Sequence, residues 1–246
     1  MSSGCNDILQ MLDYLKLPVM AESLERMMDD PASFELPVLD FLKQIVSDEY
    51  VERHNSKTAT LIRLSSISGM MGDANQLYTH DGRIYNDNIV RQVKELTFLT
   101  NRRNVCVFGQ SGAGKTYMLA SLGYEICTKG IKCLYIDYVR LVDTLTMLRG
   151  EDIQKYYKKL RKYSSYQVLL IDDFLSGIPS IDNTAVFFQL LKEREKAGNP
   201  TIIGTQYDPQ EWPKMLSGGN STQGDADAIR RRLVDKAYLV VISKEE

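Results

Sequence analysis

The stretch that most restricts what this chain can fold into is Gly109-Gln110-Ser111-Gly112-Ala113-Gly114-Lys115-Thr116. It fits G-x-x-x-x-G-K-[ST] at every fixed position and directly follows the apolar run Val105-Cys106-Val107-Phe108. A buried strand that enters a glycine-rich turn and leaves it as a helix is a phosphate-binding loop. The glycines permit positive φ and close backbone approach, so successive N–H groups and the N-terminus of the following helix all point at one anion. Lys115 is suited to neutralise the β- and γ-phosphates and the Thr116 hydroxyl to ligate Mg²⁺. Gly109 to Thr116, with Tyr117 at the start of the helix, form the expected nucleotide-binding set.

A second element, Gln167-Val168-Leu169-Leu170-Ile171-Asp172-Asp173-Phe174, is an apolar strand that ends in two carboxylates. A charge at the carboxyl end of a parallel strand lies at the mouth of the sheet, where ligands bind. Asp172 is suited to hold Mg²⁺ through its water shell, and Asp173 to orient and activate an attacking water. A third strand, Thr201-Ile202-Ile203-Gly204-Thr205-Gln206, has a polar tip, as a γ-phosphate sensor requires; position alone does not separate Thr205 from Gln206. Strands at 132–137 and 237–243 and helices at 115–129, 138–148, 182–197 and 225–235 complete an alternating pattern. It predicts an α/β fold, a parallel sheet with right-handed crossovers.

Composition narrows the rest. Apolar residues make up 43% and charged residues 25% of 246, enough for a sizeable core. The formal net charge of -2 gives no global signal for nucleic acid, so any basic surface is local. Cys5, Cys106, Cys127 and Cys133 form no C-x-x-C pair, and His54 and His80 are the only histidines, which argues against zinc and for buried thiols in a reducing compartment. No leader and no apolar run of membrane-spanning length is visible, so the expected location is cytoplasmic, with no membrane contact.

The first 65 residues read as a small helical domain: helices at 6–16 (Ile8, Leu9, Leu12 and Leu15 on one face), 19–29, and about 38–64 with Leu39, Leu42, Val46 and Tyr50 near one face. Its early acidic residues favour packing against a neighbouring subunit or the core over DNA contact. Residues 66–82, rich in Ser, Gly, Asn and Asp, read as a linker, and 83–246 as the nucleotide-binding domain. Residues 84–100 read as a helix feeding the first core strand, with Ile84 and Tyr85 as weak candidates for holding a base. Residues 217–224 read as a flexible loop. Residues 149–163 carry Lys155, Lys158, Lys159, Arg161 and Lys162 interleaved with tyrosines. The lysines recur at three- and four-residue spacing on one helical face, which suits either phosphate tracking or a solvated surface.

Together, GQSGAGKT, LLIDDF, TIIGTQYDPQEW and DADAIRRRLVDKA, with LKLPVMAESLERM and SFELPVLDFLKQIVSDEYVERHN upstream, resemble the IstB-like transposition helper ATPases. These are AAA+ proteins close to the DnaC and DnaI helicase loaders and the initiator DnaA. The resemblance spans nearly the whole chain. It implies an AAA+ core, a five-stranded parallel sheet flanked by helices, with a small all-α N-terminal domain. It further implies binding of ATP and Mg²⁺ by Lys115 and Thr116, with Asp172 and Asp173 as the family's acidic pair, and a sensor at Thr205 or Gln206. Arg232, in Arg230-Arg231-Arg232, would act on a neighbouring subunit's γ-phosphate, so that self-association completes the site. The basic helix at 149–163 would contact double-stranded DNA.

Two departures accompany the resemblance. Many AAA+ proteins carry Glu where this chain has Asp173, one methylene shorter, which implies slow turnover. The chain ends at Glu246, just after the last strand, which implies a truncated or minimal lid. The function expected is an ATP-dependent DNA-binding regulator that recruits a transposase. The alternatives are a replicative helicase loader and, from another class, a nucleotide or small-molecule kinase.

Overall fold

In the computed structural model, residues 3–70, 83–217 and 223–244 are described. The chain divides into two compact units, Met1–Thr60 and Leu61–Glu246.

The first unit is helical: α1 (Ser3–Tyr14), α2 (Pro18–Asp29), a 3-10 turn (Pro31–Glu35) and the body of α3 (Val38–Leu64), within which the division falls. Pro18 opens α2, where its missing N–H costs nothing. The small core is Leu12, Leu24, Met27 and Ile45, with Leu9 and Phe41 against it. Ser23 and Arg26 both donate to the Asp48 carboxylate. Buried Glu49 accepts from Arg53 Nε at 2.6 Å and Met20 N at 2.9 Å. Leu39, Leu42, Val46 and Tyr50 of α3 are all exposed, as are Ile8 of α1 and Leu15 just beyond it.

The second unit is an α/β layer structure. Its strands are β1 (Arg83–Tyr85), β2 (Val105–Gly109), β3 (Cys133–Asp137), β4 (Val168–Asp172), β5 (Thr201–Thr205) and β6 (Tyr238–Lys244). They stand in the order β1-β6-β2-β5-β4-β3, the last five mutually parallel. The helices are α4 (Asp87–Lys94), α5 (Thr97–Asn101), α6 (Lys115–Thr128), α7 (Tyr138–Glu151), α8 (Ile153–Ser165), α9 (Ile181–Ala197), α10 (Trp212–Leu216) and α11 (Gln223–Val234). Period-two alternation divides the strand side chains between two cores. Val105, Val107, Val168, Leu170 and Ile202 join Met118, Leu122 and Ile126 of α6. Cys106, Leu169, Ile171 and Ile203 join residues of α7, α8, α9 and α11. On that second face Tyr138, Phe174, Phe187 and Trp212 meet edge to face, with ring centroids 4.9–5.3 Å apart. Trp212 is fully buried and donates its indole N–H to Tyr207 O at 3.0 Å.

Three sequence expectations are corrected here. Residues 84–100 are not one helix: β1 pairs antiparallel with β6, then come α4 and α5. Asn86 makes the junction, its side chain donating to Leu239 O and accepting from Val241 N, and Leu96 breaks the helix with φ +57. The side chains of Ile84 and Tyr85 lie outside the described residues, as do linker residues 71–82 and loop residues 218–222. Residues 61–70 belong to the second unit, because Ile67 is buried in its core and Ser65 O accepts from Tyr135 N at 2.7 Å. The basic stretch 149–163 is not one helix: α7 runs on to Glu151 and α8 starts at Ile153, with Asp152 between them, and Tyr156 of α8 is buried and bonds to Gln189.

Strand order positions the chemistry. β5 lies between β2 and β4, so the ends of all three, Gly109, Asp172 and Thr205, converge at one edge of the sheet. That edge is the carboxyl end, where a crevice opens.

Candidate functional site

The loop between β2 and α6 has the backbone its glycines predict. Gly112 and Gly114 hold φ +73 and +103, values costly for any residue with a Cβ. Gly109 is required for another reason: a Cβ there would lie 2.6 Å from Ile242 O of β6. Lys115 is buried and donates to Gly109 O and Gln110 O, both at 2.9 Å, so the loop's own carbonyls hold its ammonium group. Burial lowers its pKa, against the pull of Asp173 and Asp172.

Asp172 ends β4 almost fully buried, at 3% exposure. Its Oδ2 accepts from the Thr116 hydroxyl at 2.6 Å and the Tyr135 phenol at 2.7 Å, and its Oδ1 accepts from Asp173 N at 2.9 Å. A bare-backbone neighbour makes room for it, since a Cβ on Gly204 of β5 would stand 2.7 Å from Oδ1. A hydroxyl beside a carboxylate, both oxygen donors, is a set that fits Mg²⁺.

Asp173 is exposed and left-handed, with φ +50. Its pKa is raised by desolvation and by the charges of Asp172 and Asp137, and Lys115 opposes the rise. Leu175 is also left-handed, at φ +65, and Phe174 N is held by Gly204 O at 2.8 Å, so the turn that presents Asp173 is anchored on β5. Positive φ is uncommon outside glycine and best tolerated by Asp and Asn.

The two sensor candidates separate by environment. Thr205 is buried, and its hydroxyl donates to Phe174 O at 2.9 Å and accepts from Tyr207 N at 3.2 Å, which leaves it committed to backbone. Gln206 is exposed and lines a cleft of about 520 Å³ together with Met70, Ser111, Lys115, Thr116 and Asp173. Tyr117 lines it as well.

Arg232 is far from this edge. Asn104, just before β2, donates to Arg232 O, so Arg232 stands at the amino end of the strands, opposite the loop. Its guanidinium pairs with Glu195 at 2.8 Å and lies over the Phe188 ring at 4.9 Å. Arg230 faces Asp235 at 3.5 Å, and Arg231 is exposed. The structure therefore does not bring Arg232 together with Lys115, Asp172 and Asp173 within one chain.

On α8, Lys155, Lys158, Arg161 and Lys162 are exposed, while Lys159 is half-buried over the Tyr163 ring. The opposite face, Tyr156, Leu160 and Tyr163, is buried in the core. Asp152 caps the helix, accepting from Gln154 N and Lys155 N at 3.0 Å, and pairs with Lys155 at 3.2 Å. A concave strip lined by Lys155, Tyr157, Lys158 and Arg161 results. Cys106, Cys127 and Cys133 are buried free thiols, as expected. Among the described residues no helix is long and apolar enough to cross a membrane, and no group of three His, Cys, Asp or Glu could hold a metal ion.

Sequence reasoning missed Tyr135, Asp137 and Gly204. Tyr135 reads as a core strand residue, Asp137 as a polar strand end and helix cap, and Gly204 as a small residue in an apolar run. Only the final Asp of β3, a carboxylate at a strand tip like Asp172, carried a usable signal.

The chain matches the family described as IstB-like ATP-binding protein over residues 10–246. The ATP-binding protein of insertion sequence IS5376 from Geobacillus stearothermophilus is 28% identical over 204 residues, which is 82% of this chain and 79% of that one. An insertion-sequence ATP-binding protein of Sinorhizobium fredii is 24% identical over 238 residues, 96% of this chain and 92% of its own. Among solved structures, DnaI superposes with a TM-score of 0.57 at 22% identity, covering 70% of this chain and 90% of DnaI. AMPPCP-bound DnaA from Aquifex aeolicus gives 0.51 at 24% identity, covering 69% and 49%. These two likenesses are of fold, five parallel strands with flanking helices. The loop, the Thr116–Asp172 hydrogen bond and a match across nearly the whole sequence lead to one statement: the chain belongs to the family of IstB-like ATP-binding proteins.

Proposed function

We propose that the second unit binds ATP with Mg²⁺ in the 520 Å³ cleft and hydrolyses it slowly, and that ATP-bound copies assemble on double-stranded DNA to recruit or stimulate a transposase. The observation that carries this reading is the convergence of Lys115, Thr116, Asp173 and Gln206 on one cleft, with Arg232 at the other end of the sheet. An arginine so placed can act on ATP only from another copy, which makes assembly part of the site.

In this reading the loop N–H groups and Lys115 bind the β- and γ-phosphates, which requires Lys115 to exchange its two carbonyl partners for phosphate oxygens. Thr116 and Asp172 would hold Mg²⁺, which would supply positive charge against the negative charge that builds up on the phosphate oxygens. Asp173 accepts a proton from the water whose oxygen attacks the γ-phosphorus, and ADP departs. Gln206, and not Thr205, senses the γ-phosphate, because the Thr205 hydroxyl has both partners already. Arg232 of a neighbouring copy leaves Glu195 to stabilise the transferring phosphoryl group.

The exposed cations of α8 track DNA phosphates. The N-terminal unit packs against a second copy, a role supported by the exposed apolar stripe Leu39, Leu42, Val46 and Tyr50. Insertion-sequence relatives along 82–96% of the chain favour a transposase over a helicase as the protein recruited, and a cytoplasmic location follows from that role. The test is to size the protein with and without duplex DNA and a non-hydrolysable ATP analogue. A large species that needs both supports the reading, and a monomer under all conditions overturns it.

A further inference from the structure

We propose that Tyr135 is a positioning residue for the Mg²⁺ site, its phenol fixing the rotation of the Asp172 carboxylate beside Thr116. The inference rests on the MgATP reading above.

An ionised carboxylate offers about four lone-pair sites. Three on Asp172 are taken: two on Oδ2, by Thr116 and Tyr135, and one on Oδ1, by Asp173 N. Gly204 walls the Oδ1 side so closely that no Cβ fits. One site on Oδ1 remains. Thr116 has a single proton to donate, and while its hydroxyl directs that proton at Asp172 its oxygen lone pairs are free to face a metal. Thr116 therefore serves the cation without releasing the carboxylate, provided the carboxylate does not turn.

Without the phenol, Oδ2 is held by Thr116 alone, and Oδ1 only by the N–H of the next residue, Asp173, which sits in a left-handed turn. The Cβ–Cγ torsion of an aspartate is broad and roughly two-fold, so a single donor on Oδ2 leaves more rocking open than two do. The phenol supplies the second fixed point on the same oxygen, and it comes from β3, a different element from the α6 residue Thr116. β3 pairs with β4 in parallel register, with Tyr135 opposite Leu170 and Asp137 opposite Asp172, so the long side chain reaches the carboxylate from two positions back along the strand. Packing does not require this hydroxyl, since phenylalanine fills the same volume without it. Burial, and then the bond to Asp172, raise the Tyr135 pKa, so the phenol remains a donor throughout the physiological range.

The experiment uses the full chain with Tyr135→Phe and Asp172→Asn, singly and combined. Binding of a fluorescent ATP analogue is titrated with Mg²⁺ and repeated in EDTA, and Mn²⁺ affinity is read by paramagnetic relaxation of water. The loss of one hydrogen bond to a charged group raises the Mg²⁺ midpoint roughly tenfold and weakens Mn²⁺ to match. Metal-free nucleotide affinity stays at the wild-type value, and Tyr135→Phe adds nothing in the Asp172→Asn background. An unchanged Mg²⁺ midpoint in Tyr135→Phe overturns the inference. So does a loss of equal size with and without metal, which marks a structural role. Failure of the wild-type protein to bind the analogue at all refutes the MgATP reading instead.

Discussion

Gly204→Ala tests whether the Asp172 carboxylate is held as tightly as the geometry indicates. The new methyl would stand 2.7 Å from Asp172 Oδ1 and 3.4 Å from both Leu119 methyls. Ordinary contact begins near 3.4 Å, so the carboxylate has to retreat by about 0.7 Å. It cannot do so freely, because Asp172 is 3% exposed and its oxygens are fixed at 2.6, 2.7 and 2.9 Å from Thr116, Tyr135 and Asp173 N. At least one of those bonds breaks. A lost hydrogen bond to a charged group costs about 1.5–3 kcal/mol and overpacking about 1–3 kcal/mol, so we expect about 2.5–6 kcal/mol of destabilisation. For a unit of this size that lowers Tm by roughly 5–24 °C. The assay is thermal unfolding of the nucleotide-free protein, paired with Mg²⁺-dependent binding of a fluorescent ATP analogue, which should weaken as well. Gly150→Ala is the control: it lies in α7, no atom stands within 4 Å of its added Cβ, and it should hold or slightly gain stability. A Gly204→Ala protein with wild-type Tm and wild-type Mg²⁺ dependence would refute the argument that Asp172 is locked in place.

Three more variants have expected outcomes. Lys115→Ala leaves the buried Gly109 O and Gln110 O without their ammonium donor and removes the phosphate's cation, so ATP binding should fall by at least about tenfold, measured by the same fluorescence titration; wild-type affinity would contradict the assigned role. Asp173 has a raised pKa, so it protonates at a higher pH than an ordinary aspartate near 3.9 and loses its capacity as a base there; the acid limb of kcat/KM should lie above that value and vanish with Asp173→Asn, which should also trap ATP-bound assemblies on DNA. The sign for stability is the reverse: a carboxyl whose folded pKa is raised costs stability once pH exceeds its unfolded value, so Asp173→Asn should be neutral or stabilising at pH 7 by calorimetry. Replacing Lys155, Lys158, Lys159 and Lys162 with Gln should weaken duplex DNA binding and flatten the slope of log K against log salt by up to about 0.9 for each phosphate no longer neutralised, with Lys159 contributing least because it is half-buried over Tyr163; an unchanged slope would return α8 to a solvated surface.

The sequence alone determined the elements whose signal is local. The loop at 109–116 declares itself because a glycine-rich turn between strand and helix needs those residue types side by side, and Asp172 and Asp173 because a continuous apolar run ends in charge. The five parallel strands follow from the same short-range patterning. Tertiary structure decided what depends on strand order and on contacts distant in sequence. β1 has three residues, too few to declare a strand, and exists through its pairing with β6 about 155 residues away. Thr205 and Gln206 are adjacent and both polar, yet the turn after β4 claims one hydroxyl and leaves the other side chain in the cleft. Tyr156 and Lys155 are neighbours on a basic helix, and only the docking of α8 sends one into the core and the other to water. Tyr135 reaches Asp172, 37 positions away, because β3 lies beside β4, and Gly204 meets the same carboxylate because β5 lies on the other side. Arg232 belongs to the end of the sheet opposite the loop for a related reason: α11 feeds β6, a parallel strand that starts where β2 starts. A linear sequence specifies which groups are present and which strands are buried, and the order in which those strands pair fixes which groups meet.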